Sequence, residues 1–141
     1  MRDSNLALRK AVYELLSPVV GVPVYYKYIP ARVDTNAYIL ISNISNSNAS
    51  TMHSHDTESA IQIGIHTKDS NAISGLQADS IADTVLITLI PRPASTIVLP
   101  GFQNCGFSLN GDDSPDALQL PDGIAINRFL RFRVLIAHPV T

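Results

Sequence analysis

Residues 57–67 read Thr57-Glu58-Ser59-Ala60-Ile61-Gln62-Ile63-Gly64-Ile65-His66-Thr67. Isoleucine takes every second position from 61 to 65, and Glu58, Gln62 and His66 fall on the alternate set. Successive side chains of an extended chain point to opposite sides, so a period of two puts the three isoleucines on one face and the polar residues on the other. The stretch is a strand with one dry face and one wet face, as in an antiparallel sheet covered on one side.

What covers the dry face must come from elsewhere in the chain. Downstream, residues 71–90 carry Ala78, Ile81, Ala82, Val85 and Leu89 at steps of three and four, the stripe of a helix. Ser70 or Asn71 can cap it, and Pro91 and Pro93 end it, because proline lacks the donor that a further turn needs. Upstream, Asp3 or Ser4 can cap a first helix with a broad stripe of Leu6, Ala7, Leu8, Ala11, Val12, Leu15 and Leu16, stopped by Pro18 and Gly21.

Between the first helix and the quoted stretch, residues 24–29 (Val-Tyr-Tyr-Lys-Tyr-Ile) are rich in strand formers and flanked by Pro23 and Pro30, which predicts an edge strand. Tyr38, Ile39, Leu40 and Ile41 predict a second strand. Beyond the second helix, residues 96–99 and 102–109 predict short strands, and 124–137 a long one. In that last strand Ile126, Leu130, Phe132, Val134 and Ile136 share the core face, while Asn127, Phe129, Arg131, Arg133 and Leu135 face outward. Residues 43–56 and 111–123 are read as loops. Neighbouring strands joined by hairpins give a mostly antiparallel β-sheet. The expected fold class is α+β, with two α-helices packed on one face of that sheet. No internal repeat or composition break divides residues 1–141, so one domain is expected.

The totals narrow the function. Charged residues are 16% of the chain against a usual ~25%. Serine, threonine and asparagine replace them, and a weakly charged polar surface is cheap to bury against partners. A net charge of −2 gives no basic field to gather nucleic acid. The single cysteine, Cys105, cannot form an intrachain disulfide, and a buried inert thiol is the expected role. Met1-Arg2-Asp3-Ser4 runs into an amphipathic segment with no apolar core of a signal peptide. The longest apolar run, residues 85–90, is interrupted by Thr88 and far too short to span a bilayer. A cytoplasmic protein, or one in a particle assembled there, is expected, with no membrane partner.

Candidate chemistry is sparse. His53, His55 and Asp56 could share a zinc or nickel ion, with His66 or His138 adding a ligand, and a metal-dependent enzyme is the reading they would support. They lie in a serine- and asparagine-rich stretch with no cysteine near, so two solvated histidines are the preferred reading and neither metal nor cofactor is expected. Cys105 has no histidine beside it, and no nucleophile elbow or phosphate-binding glycine loop occurs. The acids of Gly111-Asp112-Asp113-Ser114-Pro115-Asp116 suit turns, since aspartate bonds to its own backbone. No Lys or Arg lies between Gly101 and Gly123, so that acidity is locally uncompensated. Arg131 and Arg133 share a strand face and suit either a salt-bridged sheet surface or a subunit contact with carboxylates of a neighbour, for which the planar guanidinium is fitted.

Leu8-Arg9-Lys10-Ala11-Val12-Tyr13-Glu14-Leu15-Leu16 is followed by Pro23-Val24-Tyr25-Tyr26, Ile29-Pro30 and Ala37-Tyr38-Ile39-Leu40-Ile41, then by a strand with one core face and a helix ending in proline. Over residues 5–90 this order resembles the tail terminator, or tail-completion, proteins of long-tailed bacteriophages. The last third is similar only in being rich in strands. The stretches 43–56 and 112–122 depart from the pattern.

The resemblance implies a structural protein rather than an enzyme, one located in the tail or neck of a virion. It would form a homo-oligomeric ring of six that caps the tail tube protein, stops its polymerisation and meets a head-closure or neck protein. Genomic DNA would pass through the bore without specific binding. Asp112, Asp113 and Asp116 are expected to line that bore, and the stretch bearing Asn43, Asn46, Asn48, Met52, His53 and His55 to reach a partner. Another neck component, a head-closure or adaptor protein, is the alternative.

Overall fold

The structure is a computed structural model and describes residues 4–26, 37–48, 56–69, 74–91, 99, 102, 104–113, 118–120 and 123–137. Its elements run α1 (Ser4–Leu16), β1 (Val24–Tyr26), β2 (Ala37–Asn48), β3 (Asp56–Asp69), α2 (Ser74–Leu89), β4 (Asn104–Asp113), β5 (Leu118–Leu120) and β6 (Gly123–Ala137). The strands form one sheet in the order β1-β2-β3-β6-β4, with β5 also on β6. Both helices contribute to the single core that backs this sheet. The expected α+β class, a mostly antiparallel sheet with two helices on one face, is what the chain adopts.

The alternation of residues 57–67 sets the centre of the molecule. Ile61, Ile63 and Ile65 are fully buried, and so are Leu130, Phe132, Val134 and Ile136 of β6. The two strands pair antiparallel from Asp69↔Ile124 to Asp56↔Ala137. That register brings the two apolar sets onto the same side, where Ala78, Ile81, Ala82, Val85 and Leu89 of α2 close over them. Thr88 interrupts the apolar run harmlessly, because its hydroxyl donates to the Thr84 carbonyl at 2.7 Å, one turn back.

In α1 the buried residues are Leu8, Val12 and Leu16, spaced by four. Leu6 and Leu15 are exposed, so the dry stripe is narrower than the sequence predicts. The chain leaves α1 through a turn in which Val20 donates to the Leu16 carbonyl at 3.1 Å. Gly21 then adopts φ +69°, a left-handed conformation that costs glycine little and other residues more.

Three features differ from the sequence expectation. First, β1 pairs with β2 in parallel, Val24↔Ile39 to Tyr26↔Ile41, so these two strands are not a hairpin. Second, β6 lies between β3 and β4, antiparallel to both, so β3, α2 and β4 form a strand–helix–strand unit into which the final strand is inserted. Third, the described parts of both stretches read as loops are strand. Asn43, Asn46 and Asn48 lie in β2, opposite Ile61, Ser59 and Thr57. Asp112 and Asp113 end β4, opposite Leu130 and Phe129. A strand can carry such polar residues because their ladder bonds are made by backbone, which no side-chain pattern reports. The expected strand at 96–99 lies outside the described residues except for buried Leu99.

Candidate contact surfaces

The sheet has a second face that no described helix covers. Alternation sends Tyr38, Leu40, Gln62, Gly64, His66, Phe129, Arg131, Arg133 and Leu135 to it, and registers align them in rows. One row runs Tyr25, Leu40, Gly64, Phe129 and Asp113 across five strands. The next runs Tyr38, His66 and Asn127. The His66 ring stacks on Tyr38, centroids 4.9 Å apart, and meets the Phe129 ring edge-on at 5.6 Å. Tyr25 and Tyr38 continue the aromatic run at 6.0 Å.

Gly64 makes this cluster possible. A Cβ there would stand 2.9 Å from His66 Nε2 and 3.3 Å from the Phe129 ring. His66 Nδ1 lies 2.7 Å from Asn127 Oδ1. An amide oxygen only accepts, so Nδ1 carries the proton in this pairing. Burial raises the Tyr38 hydroxyl above its ordinary pKa. The histidine is thus held by an amide and two rings on the sheet surface.

Further along the same face, Arg133 forks onto Glu58, with Nε to Oε1 at 2.7 Å and Nη2 to Oε2 at 3.0 Å. This bidentate pairing holds the guanidinium above its usual pKa. Arg131 donates Nε to Gln62 Oε1 at 3.3 Å. Both arginines, expected to meet a neighbour's acids, therefore have polar partners on β3 of their own chain.

At the β4 end a bulge between Leu109 and Gly111 inserts one residue into β4. One extra residue exchanges the faces of everything after it. Asp112 consequently turns to the helix side, as does Arg128 of β6. Arg128 binds both Asp112 oxygens, at 3.1 and 2.6 Å, and gives a third bond to Asp79 of α2 at 2.8 Å. The Arg128 hydrogen bonds hold the Asp112 carboxyl below the ordinary aspartate range. One arginine so clips a helix to two strands. Asp112 is neutralised locally, while Asp113 is exposed on the open side with no ion pair among the described residues.

At the other end of the sheet, α1 and β1 bound a groove of about 280 Å³ lined by Leu6, Arg9, Lys10, Tyr13 and Tyr26. Four of these residues are one helical stripe of α1, at steps of three and four. Arg9 lies over the Tyr26 ring, its guanidinium carbon 5.3 Å from the centroid, and gives Nη1 to the Tyr26 hydroxyl at 3.3 Å. Arg9 Nε is buried and has no hydrogen-bond partner among the described residues, and no carboxylate there meets this arginine. The sequence expectations do not include this groove, because Arg9 and Lys10 look like the wet side of a helix. The signal available was Leu6 and Tyr13, large apolar residues flanking that wet side.

Cys105 is buried, with its thiol pushed up to about 12 by desolvation, which fits the inert role expected of it. Met52, His53, His55 and Asp116 lie outside the described residues. Among the described residues no cluster of three His, Cys, Asp or Glu could hold a metal ion. No described helix is long and apolar enough to cross a membrane.

These elements define a small α+β protein. No protein-family model and no curated protein matches the chain. Among solved structures, it is similar to a chain of the "Virion of native gene transfer agent (GTA) particle", with a TM-score of 0.66 and 20% identity over 97% of this chain and 99% of that one. At that identity the likeness is one of fold, and it runs the length of both chains.

Proposed function

We propose that this protein is a structural component of a phage-type virion, a ring subunit that caps the tail tube, stops its growth and joins it to the neck. The observation that carries the reading is the end-to-end likeness to a chain of a gene transfer agent virion, with almost nothing left over on either side. An enzyme and a virion subunit can share a fold, so the surfaces add the second support. The described polar clusters are tied up in structural pairings: Arg128 with Asp112 and Asp79, Arg133 with Glu58, His66 with Asn127.

The physical logic of a cap is simple. A contact between two different surfaces of one subunit closes into a ring when its rotation divides the circle. One side of the ring matches the tube end, and the other lacks the tube's self-complementary surface, so growth stops. Partners of this subunit are then its own copies, the tube protein beneath and a head-closure protein above, with genomic DNA passing through without specific binding. Acidic residues at the bore would repel phosphate. Asp112 is clamped by Arg128, so it would add little to such repulsion.

Native mass spectra over a concentration series, with and without a chelator, test the reading. A metal-free closed oligomer of one size is expected. A monomer that carries stoichiometric metal and loses it to the chelator would replace the structural reading by the enzyme built on His53, His55 and Asp56. A ring that binds capsid portals but ignores tube ends would favour a head-closure or adaptor role.

A further inference from the structure

The ring reading, on which this inference rests, leaves open which surfaces meet. Among the described residues, the two ends of the sheet carry opposite charge. At the α1–β1 end, the described residues 4–26 contain Arg9 and Lys10 against Glu14, a net of +1. At the β4 end, Asp112 is answered by Arg128, which leaves Asp113 as an exposed acid with no ion pair among the described residues. The sheet order puts β1 at one limit and β4 at the other. Each subunit is therefore polar across its width.

Each end also bears a feature unusual for a solvated edge. The α1–β1 groove exposes Leu6 to 64% and Tyr13 to 43%, beside an arginine that no described carboxylate meets. A buried guanidinium nitrogen without a partner is costly and calls for a reason. The β4 edge exposes Leu109 to 45%, just before the bulge, and Asp113 just after it. An edge strand is a ready site of association, commonly guarded by lysine or proline. The described residues of β4 include neither, but its bulge and terminal aspartates restrict what can pair with it.

We infer that the β4 edge of one copy, with Leu109 and Asp113, seats against the α1–β1 groove of the next, with Asp113 answering the charge of Arg9 and Lys10. The occupant is a second copy of this chain. Groove against groove would set Arg9 and Lys10 against themselves, and edge against edge would set aspartates against aspartates. Like charges at a contact are repelled, so charge selects the head-to-tail contact over either two-fold one. A head-to-tail contact between opposite ends of a subunit is what a ring requires.

The test is a charge swap. Arg9→Glu and Asp113→Arg are made separately, and melting and far-ultraviolet spectra check that both fold. Native mass spectrometry is run beside wild type over the same concentrations. Where the wild type closes only on a tube tip, the same comparison is read as capping of tube ends.

Each variant alone is expected to lose the ring, with its assembly midpoint displaced by roughly tenfold or more. A one-to-one mixture is expected to regain it. Copies that alternate around the ring set the two substitutions, with their charges exchanged, against each other at one contact and leave the native Arg9–Asp113 pair at the next. A ring unaffected by either folded variant would overturn the contact, and so would folded, monomeric variants whose mixture stays monomeric. A wild type that neither closes nor caps would instead overturn the ring reading itself. Should Arg9→Glu fail to fold, Asp113→Arg with Lys10→Glu provides the same cycle.

Discussion

The two faces of the sheet are held by different physics, although the same strands make both. The helix-covered face is dry and closed by volume: Ile61, Ile63, Ile65, Phe132 and Val134 against Ala78, Ala82 and Val85. The open face is held by specific pairings: a histidine between two rings, a glycine that makes room for them, and an arginine forked on a glutamate. Volume fails when atoms are removed; pairings fail when atoms are added or charges changed. The two faces should therefore respond to opposite kinds of mutation.

The largest effect is expected on the dry face. Phe132→Ala should cost about 3–5 kcal/mol, the range for truncating a fully buried aromatic, measured by urea denaturation. A loss below about 1 kcal/mol would mean that α2 collapses onto the gap and that packing there is loose.

On the open face, adding a single methyl should do harm. Gly64→Ala brings a Cβ to 2.9 Å from His66 Nε2, and a loss of roughly 1–3 kcal/mol is expected. His66→Ala in the same chain should recover part of that loss. A double variant no better than Gly64→Ala would place the strain elsewhere.

At the rim of the helix-covered face sits the Arg128 clip. Arg128→Ala should cost roughly 1 kcal/mol, a modest figure because the ion pairs are partly wet. Its pH signature follows from the depressed Asp112. A carboxyl whose folded pKa lies below its unfolded value of about 3.8 contributes stability that is complete above that value. The contribution disappears as the pH falls through the folded value. Asp112→Asn should therefore flatten the acid end of the stability profile and leave its slope near neutrality unchanged.

The smallest effect is expected from Arg133→Ala, whose side chain is exposed: thermal melting close to wild type. The same covered-versus-open contrast applies to reactivity. Cys105 sits on the covered side with its thiol at about 12, so a thiol reagent at neutral pH should modify it only as fast as the sheet opens. Rapid labelling of the native protein would show β4 detached from β6.

How legible all this was depended on whether the signal was local. The alternation of Ile61, Ile63 and Ile65, the stripe from Ala78 to Leu89 and the long terminal strand report a two-sided environment to any reader of the chain. The insertion of β6 between β3 and β4 does not, because pairing partners far apart in sequence leave no local trace. Nor does the parallel β1–β2 pair. Asn43, Asn46 and Asn48 read as loop because side-chain patterns are silent on backbone ladders. The single extra residue near Asn110 decided which of Asp112 and Asp113 meets Arg128, and a one-residue register shift cannot be counted from composition.

Site residues followed the same rule. The inert burial of Cys105 was readable from its surroundings in the chain. The groove at Arg9 was not, because an arginine on the wet side of a helix becomes notable only when its nitrogen is found buried without a partner.

As proposed, the protein caps a tube by closing a ring on its end. The most direct measurement adds the purified protein to growing tail tubes and follows their length by electron microscopy. The account predicts that elongation stops and that each capped tube carries one ring of density at its growing end. Tubes that lengthen at the unmodified rate with bare ends, at protein concentrations far above that of the tips, would contradict it.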